Sequence, residues 1–335
     1  MSTIQQLLIR PLCIGLLAGM PLLSPATTVS SDVVGYVKIN CLGGSDTTFG
    51  LPLNRVASKT LTIAGVDNLQ NSLLLSANEL VDDQFKDSHY ARIKNSSLKG
   101  SKFTITSNTT NIIYLDNIYN HDLSNITAGS TIDVIPHMTI SDLFSSVSDI
   151  PNSTELFYYD SKTTGINKSS AGGYVHYDGN WYDSISGNPA NNAVIYPDES
   201  ITIRVPEDHA NDFELTISGQ VPNVAHNFTL ICSSHEQNDN YISTLLPVKA
   251  KLIDLFPHAD DSDEIIMADN SRRALNKSAS QSYVFYNSNW YDSKNGHLAN
   301  ESLIEPWTIA FFRKSASNSN TFSTYNGELD YLNQL

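Results

Sequence analysis

The chain has 335 residues, 40% of them hydrophobic, enough for two or three modest domains with packed cores. Only 16% are charged and the formal net charge is −15, a balance that repels phosphate backbones and anionic lipid and disfavours nucleic acid as a partner. Ser, Thr and Asn fill the polar positions instead, a composition that suits half-exposed strands and turns better than long helices, so the expected fold class is all-β.

In chain order, the first element is a targeting segment. Arg10 precedes an apolar run over 11–23, and Ser24-Pro25-Ala26 supplies the small residues a signal peptidase needs. A signal peptide over 1–26 implies an exported mature chain: periplasmic, on the cell surface or extracellular. The run is short and contains two prolines, and no later stretch is apolar enough to leave a transmembrane segment after cleavage. Export leaves Cys41 and Cys232, each ending a strand-like run in which alternation puts it on an apolar face, with Val37 and Ile39 or with Phe228 and Leu230. A disulfide between them and two buried thiols are both compatible with an oxidising compartment, and the apolar faces favour the thiols.

From residue 155 the sequence matches itself at a constant offset of 109, with 19 identities over the 50 residues 155–204 and 264–313. Asn167-Lys168-Ser169 answers Asn276-Lys277-Ser278. Asn180-Trp181-Tyr182-Asp183 answers Asn289-Trp290-Tyr291-Asp292, and Arg204 answers Arg313. Upstream, Asp142-Leu143-Phe144 answers Asp254-Leu255-Phe256, and the run ending at Cys41 answers the run ending at Cys232. These matches predict a duplicated β-sandwich-like unit, with a first copy over 33–221 and a second over 222–315. About eighty extra residues in the first copy predict an inserted small β-barrel-like subdomain at 56–134, with strands near 60–63, 90–93, 103–106, 112–115 and 130–135 and a turn at 108–111. Short helices are expected at 76–80 and 140–144. Asp178-Gly179 and Asn287-Ser288 are placed to turn the repeated hairpins. Strands follow at 199–205 and 212–218, and the Ser/Asn-rich stretch 316–335 is expected to be a loosely ordered tail.

Val33-Val34-Gly35-Tyr36-Val37, Ser45-Asp46-Thr47, the stretch from Gly129 to Thr139 and the two Asn-Lys-Ser plus Asn-Trp-Tyr units together resemble a family of exported proteins common in Verrucomicrobia and related bacteria, over nearly the whole mature chain. The family has no assigned activity, so the resemblance implies architecture and export rather than a mechanism. His137-Met138 departs from it, standing where an aromatic pair is commoner, as do Asp198 and Glu199 in place of a glycine-rich approach. The insert separately is similar to small β modules of phage and surface structural proteins, through Phe85, Tyr90-Ala91-Arg92-Ile93, Gly100, the stretch from Ile105 to Thr109 and Leu115-Asp116.

Candidate chemistry is sparse. Trp181, Tyr182 and Asp183 with Trp290, Tyr291 and Asp292 form the one duplicated constellation. Aromatic faces stack on sugars and a carboxylate binds hydroxyls, but the same residues serve equally as hairpin core. The acidic run Asp260-Asp261-Ser262-Asp263-Glu264 lacks the glycine and spacing of a calcium loop and reads as a solvated turn. The nine histidines show no metal-binding spacing, and Gly-x-Ser-x-Gly is absent. Neither a metal, a cofactor nor an enzymatic role is expected. The function read from sequence is a structural or adhesive β protein of the surface or periplasm, with surface glycans or other surface proteins as partners. The alternative is a carbohydrate binder using the duplicated hairpins.

Overall fold

The computed structural model describes residues 33–160, 163–222, 226–243, 246–305, 307–316 and 323–327. The expected signal peptide lies outside them. The fold is nearly all β, as the composition predicts.

The first unit begins with β1 (Val34–Cys41), an eight-residue strand whose inward residues Val37, Ile39 and Cys41 are buried while Lys38 and Asn40 face water. It pairs antiparallel with β15 (Phe213–Gln220), from Val34 opposite Gln220 to Cys41 opposite Phe213. Their inner face shares a core with a five-stranded antiparallel sheet. In spatial order that sheet is β2 (Asp46–Gly50), β14 (Ser200–Arg204), β10 (Glu155–Tyr159), β11 (Ser170–Tyr177) and β12 (Asn180–Asp183). Phe49, Leu156, Trp181, Ile201 and Ile203 fill this core from the sheet. The short helix α1 (Ile140–Leu143) closes it with Ile140, Leu143 and the following Phe144. Thr139 and Asp142 form a reciprocal capping box that satisfies the helix's first backbone donors.

The second unit has a sheet in the order β17 (Asn238–Asn240), β23 (Ile309–Lys314), β19 (Glu264–Met267), β20 (Gln281–Tyr286), β21 (Asn289–Asp292). Position for position this is the order of the first sheet. Helix α2 (Leu252–Leu255) occupies the place of α1, and β16 (His226–Leu230) pairs with β24 (Ser323–Gly327) as β1 pairs with β15. The tail therefore departs from the expected loose order: residues 323–327 are a strand. The edge of β16 has unpaired backbone donors and acceptors, and β24 satisfies them.

Residues 59–136 form a closed six-stranded barrel in the order β3 (Lys59–Asp67), β4 (Ser72–Leu75), β7 (Ile112–Leu115), β6 (Lys102–Asn108), β5 (His89–Ile93), β8 (Thr131–Pro136). Closure removes sheet edges from an element inserted into another fold. Leu61, Ile63, Leu73, Ile93, Ile105, Ile113 and Ile132 are its dry interior. The strand β4 is additional to the five expected. Its Leu73 and Leu75 point inward while Leu74 is 42% exposed, so the alternation is masked by three consecutive leucines. The helix expected at 76–80 does not form, and the backbone donors of Glu79 and Leu80 go to the Thr110 carbonyl instead.

Candidate functional site

The duplicated hairpin residues are structural in both units. Trp181 is 3% exposed and packs on Phe144 at 4.6 Å between ring centroids and on His176 at 5.3 Å. Trp290 is fully buried, and its indole N–H donates to the Phe256 carbonyl at 3.3 Å. Neither indole offers a face on which a sugar could stack, which corrects the stacking role considered from sequence. The inward half of the alternation took the larger ring because it adds the larger apolar area to the core. Tyr182 and Tyr291 are half-buried and bridge to Pro189 and Leu298. Asp183 accepts from the Ile185 and Ser186 backbone at 3.1 and 2.7 Å, and Asp292 from Lys294 at 2.7 Å. These are Asx turns, and the backbone donors hold both carboxyls below their usual range. Cys41 and Cys232 are buried free thiols, not a disulfide. Burial pushes the Cys41 thiol up to about 12, with the Asp212 charge adding to it.

The recurring Asn-Lys-Ser and Arg positions do something sequence reasoning did not find: they clasp the two units together, reciprocally. Arg204 makes a two-pronged pair with Asp46 across β14 and β2, at 2.7 and 2.9 Å, and Arg313 makes the same pair with Asp239, at 2.7 and 3.1 Å. Each buried carboxylate then takes a backbone N–H from the other unit: Asn276 donates to Asp46 at 2.7 Å and Asn167 to Asp239 at 2.6 Å. The Asn276 and Asn167 side-chain oxygens accept from Arg204 and Arg313. Both asparagines adopt left-handed backbone, with φ of 50° and 52°, which Asn tolerates better than most residues. Two further backbone pairs repeat the exchange: Asp46 to Ala274 and Asp239 to Gly165, then Gly50 to Trp307 and Ser243 to Asp198. The signal was present in the sequence as Asp46 and Asp239, but it needed the register between β2 and β14 to be read.

In the acidic run Asp260, Asp261 and Ser262 are exposed, and only Asp263 is buried. Lys314, 1% exposed, donates to Asp263 at 2.7 Å and to Asp260 at 2.5 Å, and Asp263 also accepts from Ser315. The equivalent first-unit positions are Val205 and Thr154, so one unit holds an ion pair where the other is apolar or hydroxylic. No group of three or more His, Cys, Asp or Glu among the described residues could hold a metal, and no helix among them is long and apolar enough to cross a membrane.

A concavity with convergent polar groups lies where the units differ. A cleft of about 480 Å³ on the first unit is lined by Tyr158, Tyr159, Tyr174, Tyr196, Asp160 and Glu199 over a floor of Leu156 and Ile201. Second-unit equivalents of Tyr158, Tyr159, Tyr196 and Glu199 are Met267, Ala268, Glu305 and Thr308. Gly172 leaves room for the Tyr158 ring, because a Cβ there would lie 2.3 Å from the Tyr158 hydroxyl. In β20 the same position is Gln281, opposite Met267.

Tyr196 and Glu199 are shared with an adjoining cavity of about 130 Å³, between the barrel and both sheet units. Its walls include His137, Tyr90, Tyr241 and a buried Lys102, which pairs with Asp198 at 2.5 Å. His137 is 3% exposed and neither ring nitrogen has a hydrogen-bond partner of good geometry. Tyr90 and Tyr196 flank its ring at 5.2 and 5.4 Å. Burial, with His89 adding charge repulsion and its backbone offsetting only part, holds His137 at about 4, so it is neutral near pH 7. Burial raises Tyr174 and Tyr196, and the Glu199 carboxylate raises both further. No family model matches the chain, and no curated protein or solved structure matches it.

Proposed function

We propose that this chain is an exported structural or adhesive β protein of the periplasm or cell surface, built from two copies of one sandwich-like unit, with no catalytic role. The reciprocal clasp carries this reading. The most specific repeated residues, Asn167, Arg204, Asn276 and Arg313, bind one unit to the other through charge-assisted hydrogen bonds, two part-buried and two exposed. A chain built this way is a rigid platform that presents loops and a cleft, which suits attachment better than turnover. The resemblance to exported proteins of Verrucomicrobia supports the same compartment, and the net charge of −15 argues for partners that are not polyanions.

Fractionation of producing cells tests it, with residues 1–26 present or deleted, together with attachment of cells that carry or lack the chain. The expected result is a periplasmic or surface location that requires residues 1–26, and weaker attachment without the protein. A cytosolic location, or turnover of any substrate in a hydrolase screen, overturns it.

A further inference from the structure

The recurrent positions of the two units are accounted for by packing and by the clasp, so a ligand site is to be sought where they diverge. The tyrosine cleft is such a place. Its scaffold strands β10, β11 and β14 have counterparts in β19, β20 and β23, and the second unit folds on that scaffold with Met267, Ala268, Glu305 and Thr308. The scaffold therefore does not require Tyr158, Tyr196 and Glu199, whereas Tyr159 also packs on Tyr241. We propose that the cleft, together with the adjoining cavity under Tyr196, binds a neutral oligosaccharide.

Three observations select that ligand class. One face of Tyr159 is covered by Tyr241 in a parallel stack at 3.9 Å, while Tyr158 and Tyr174 are half-buried and Tyr196 is 46% exposed, so partly exposed aromatic rings line a concave wall. Such rings stack on the apolar face of a pyranose, while their hydroxyls exchange hydrogen bonds with sugar hydroxyls. Next, the wall carries both signs of charge. Glu199 and Asp160 oppose an anionic ligand, while deep in the cavity the Lys102 ammonium is offset by Asp198 and adds no net charge to attract one. A neutral ligand rich in hydroxyls can accept from Lys102 and donate to carboxylates. Finally, His137 has two buried ring nitrogens with no partner of good geometry, one an acceptor and one a donor in the neutral ring. A hydroxyl is the group that can answer either. The cleft volume lies within the range of small-molecule sites.

The proposal rests on the adhesive reading for its biological setting, though not for the binding itself. The test is a solution titration of the full chain with neutral oligosaccharides of two to six residues, namely β-glucan, mannan and galactan series. Uronic-acid oligomers and spermidine serve as charged comparators. Tyr196→Ala removes an exposed ring, and a circular-dichroism melt shows whether that variant folds. Glu199→Gln and Tyr196→Phe are the conservative controls.

The expected result is saturable binding of at least one neutral series. Tyr196→Ala weakens it at least tenfold, Tyr196→Phe weakens it little, and Glu199→Gln has an intermediate effect. Absence of binding by every neutral series up to millimolar concentration overturns the proposal. So does preference for uronic acids or spermidine, or binding indifferent to Tyr196→Ala in a folded variant. A surface-located chain that binds no neutral glycan defeats the cleft assignment alone. A glycan-binding chain confined to the cytosol defeats the adhesive reading alone.

Discussion

His137 sits among Tyr90, Tyr196 and Lys102 as a neutral imidazole that the fold keeps out of water. Its folded value of about 4 lies below the ordinary value of 6.5, so in that interval the unfolded chain binds the proton more readily than the folded one. Its contribution is complete above pH 6.5 and is lost as pH falls toward 4, with a ceiling of roughly 3 kcal/mol at 1.36 kcal/mol per pH unit. His137→Phe, which keeps an aromatic ring but no titratable group, is expected to remove that part of the slope. Urea melts of both proteins at pH 4.5 and 7 measure it: equal slopes for wild type and variant refute the assignment. A second residue-scale contrast is Lys314 with Asp263 against Val205 with Thr154. Lys314→Val alone strands a buried carboxylate and is expected to destabilise by about 3–5 kcal/mol. Lys314→Val with Asp263→Thr reproduces the pairing of the first unit and should recover most of the loss, as read by denaturant midpoints. A double variant no better than the single would show that Asp263 is not the source of the cost.

At the scale of elements, the two hairpins make the same turn with different residues. Asp178 and Gly179 have φ of 48° and 75°, and Asn287 and Ser288 have φ of 48° and 61°. Both are left-handed at two successive positions, the backbone of a two-residue hairpin loop whose twist matches the strands. Gly meets it without strain and Ser does not. Ser288→Gly is therefore expected to stabilise the second unit by about 0.5–1 kcal/mol, seen as a higher melting temperature. An unchanged or lower value would mean that the strain is relieved elsewhere. This turn was legible in the sequence because its chemistry is local. So was the inward face of β1, since Val37, Ile39 and Cys41 alternate cleanly. The strand β4 was not legible, because three leucines carry no period, and the expected helix at 76–80 was lost to the carbonyl of Thr110, a residue some thirty positions away.

For the whole molecule, the clasp has the character of a two-fold interface between like subunits, in which each surface gives and receives the same bonds. Fragments 33–221 and 222–335, produced together, are expected to associate and copurify. Arg313→Met, which leaves the fully buried Asp239 without its guanidinium, is expected to weaken that association at least tenfold. Fragments that stay apart, or association insensitive to Arg313→Met, would contradict the role given to the clasp. Sequence by itself determined the strand content, the matched segments, the barrel's approximate bounds and the hairpin turns. Each of these follows from alternation, turn chemistry or identity between segments, which are properties of neighbours along the chain. Tertiary structure alone decided that Trp181 and Trp290 face inward, that Asn167 and Asn276 reach across to carboxylates on the other unit, and that Tyr158, Tyr159 and Tyr196 meet in one cleft. Those outcomes depend on which face each sheet buries and on contacts between residues far apart in the chain, and periodicity carries no information about either.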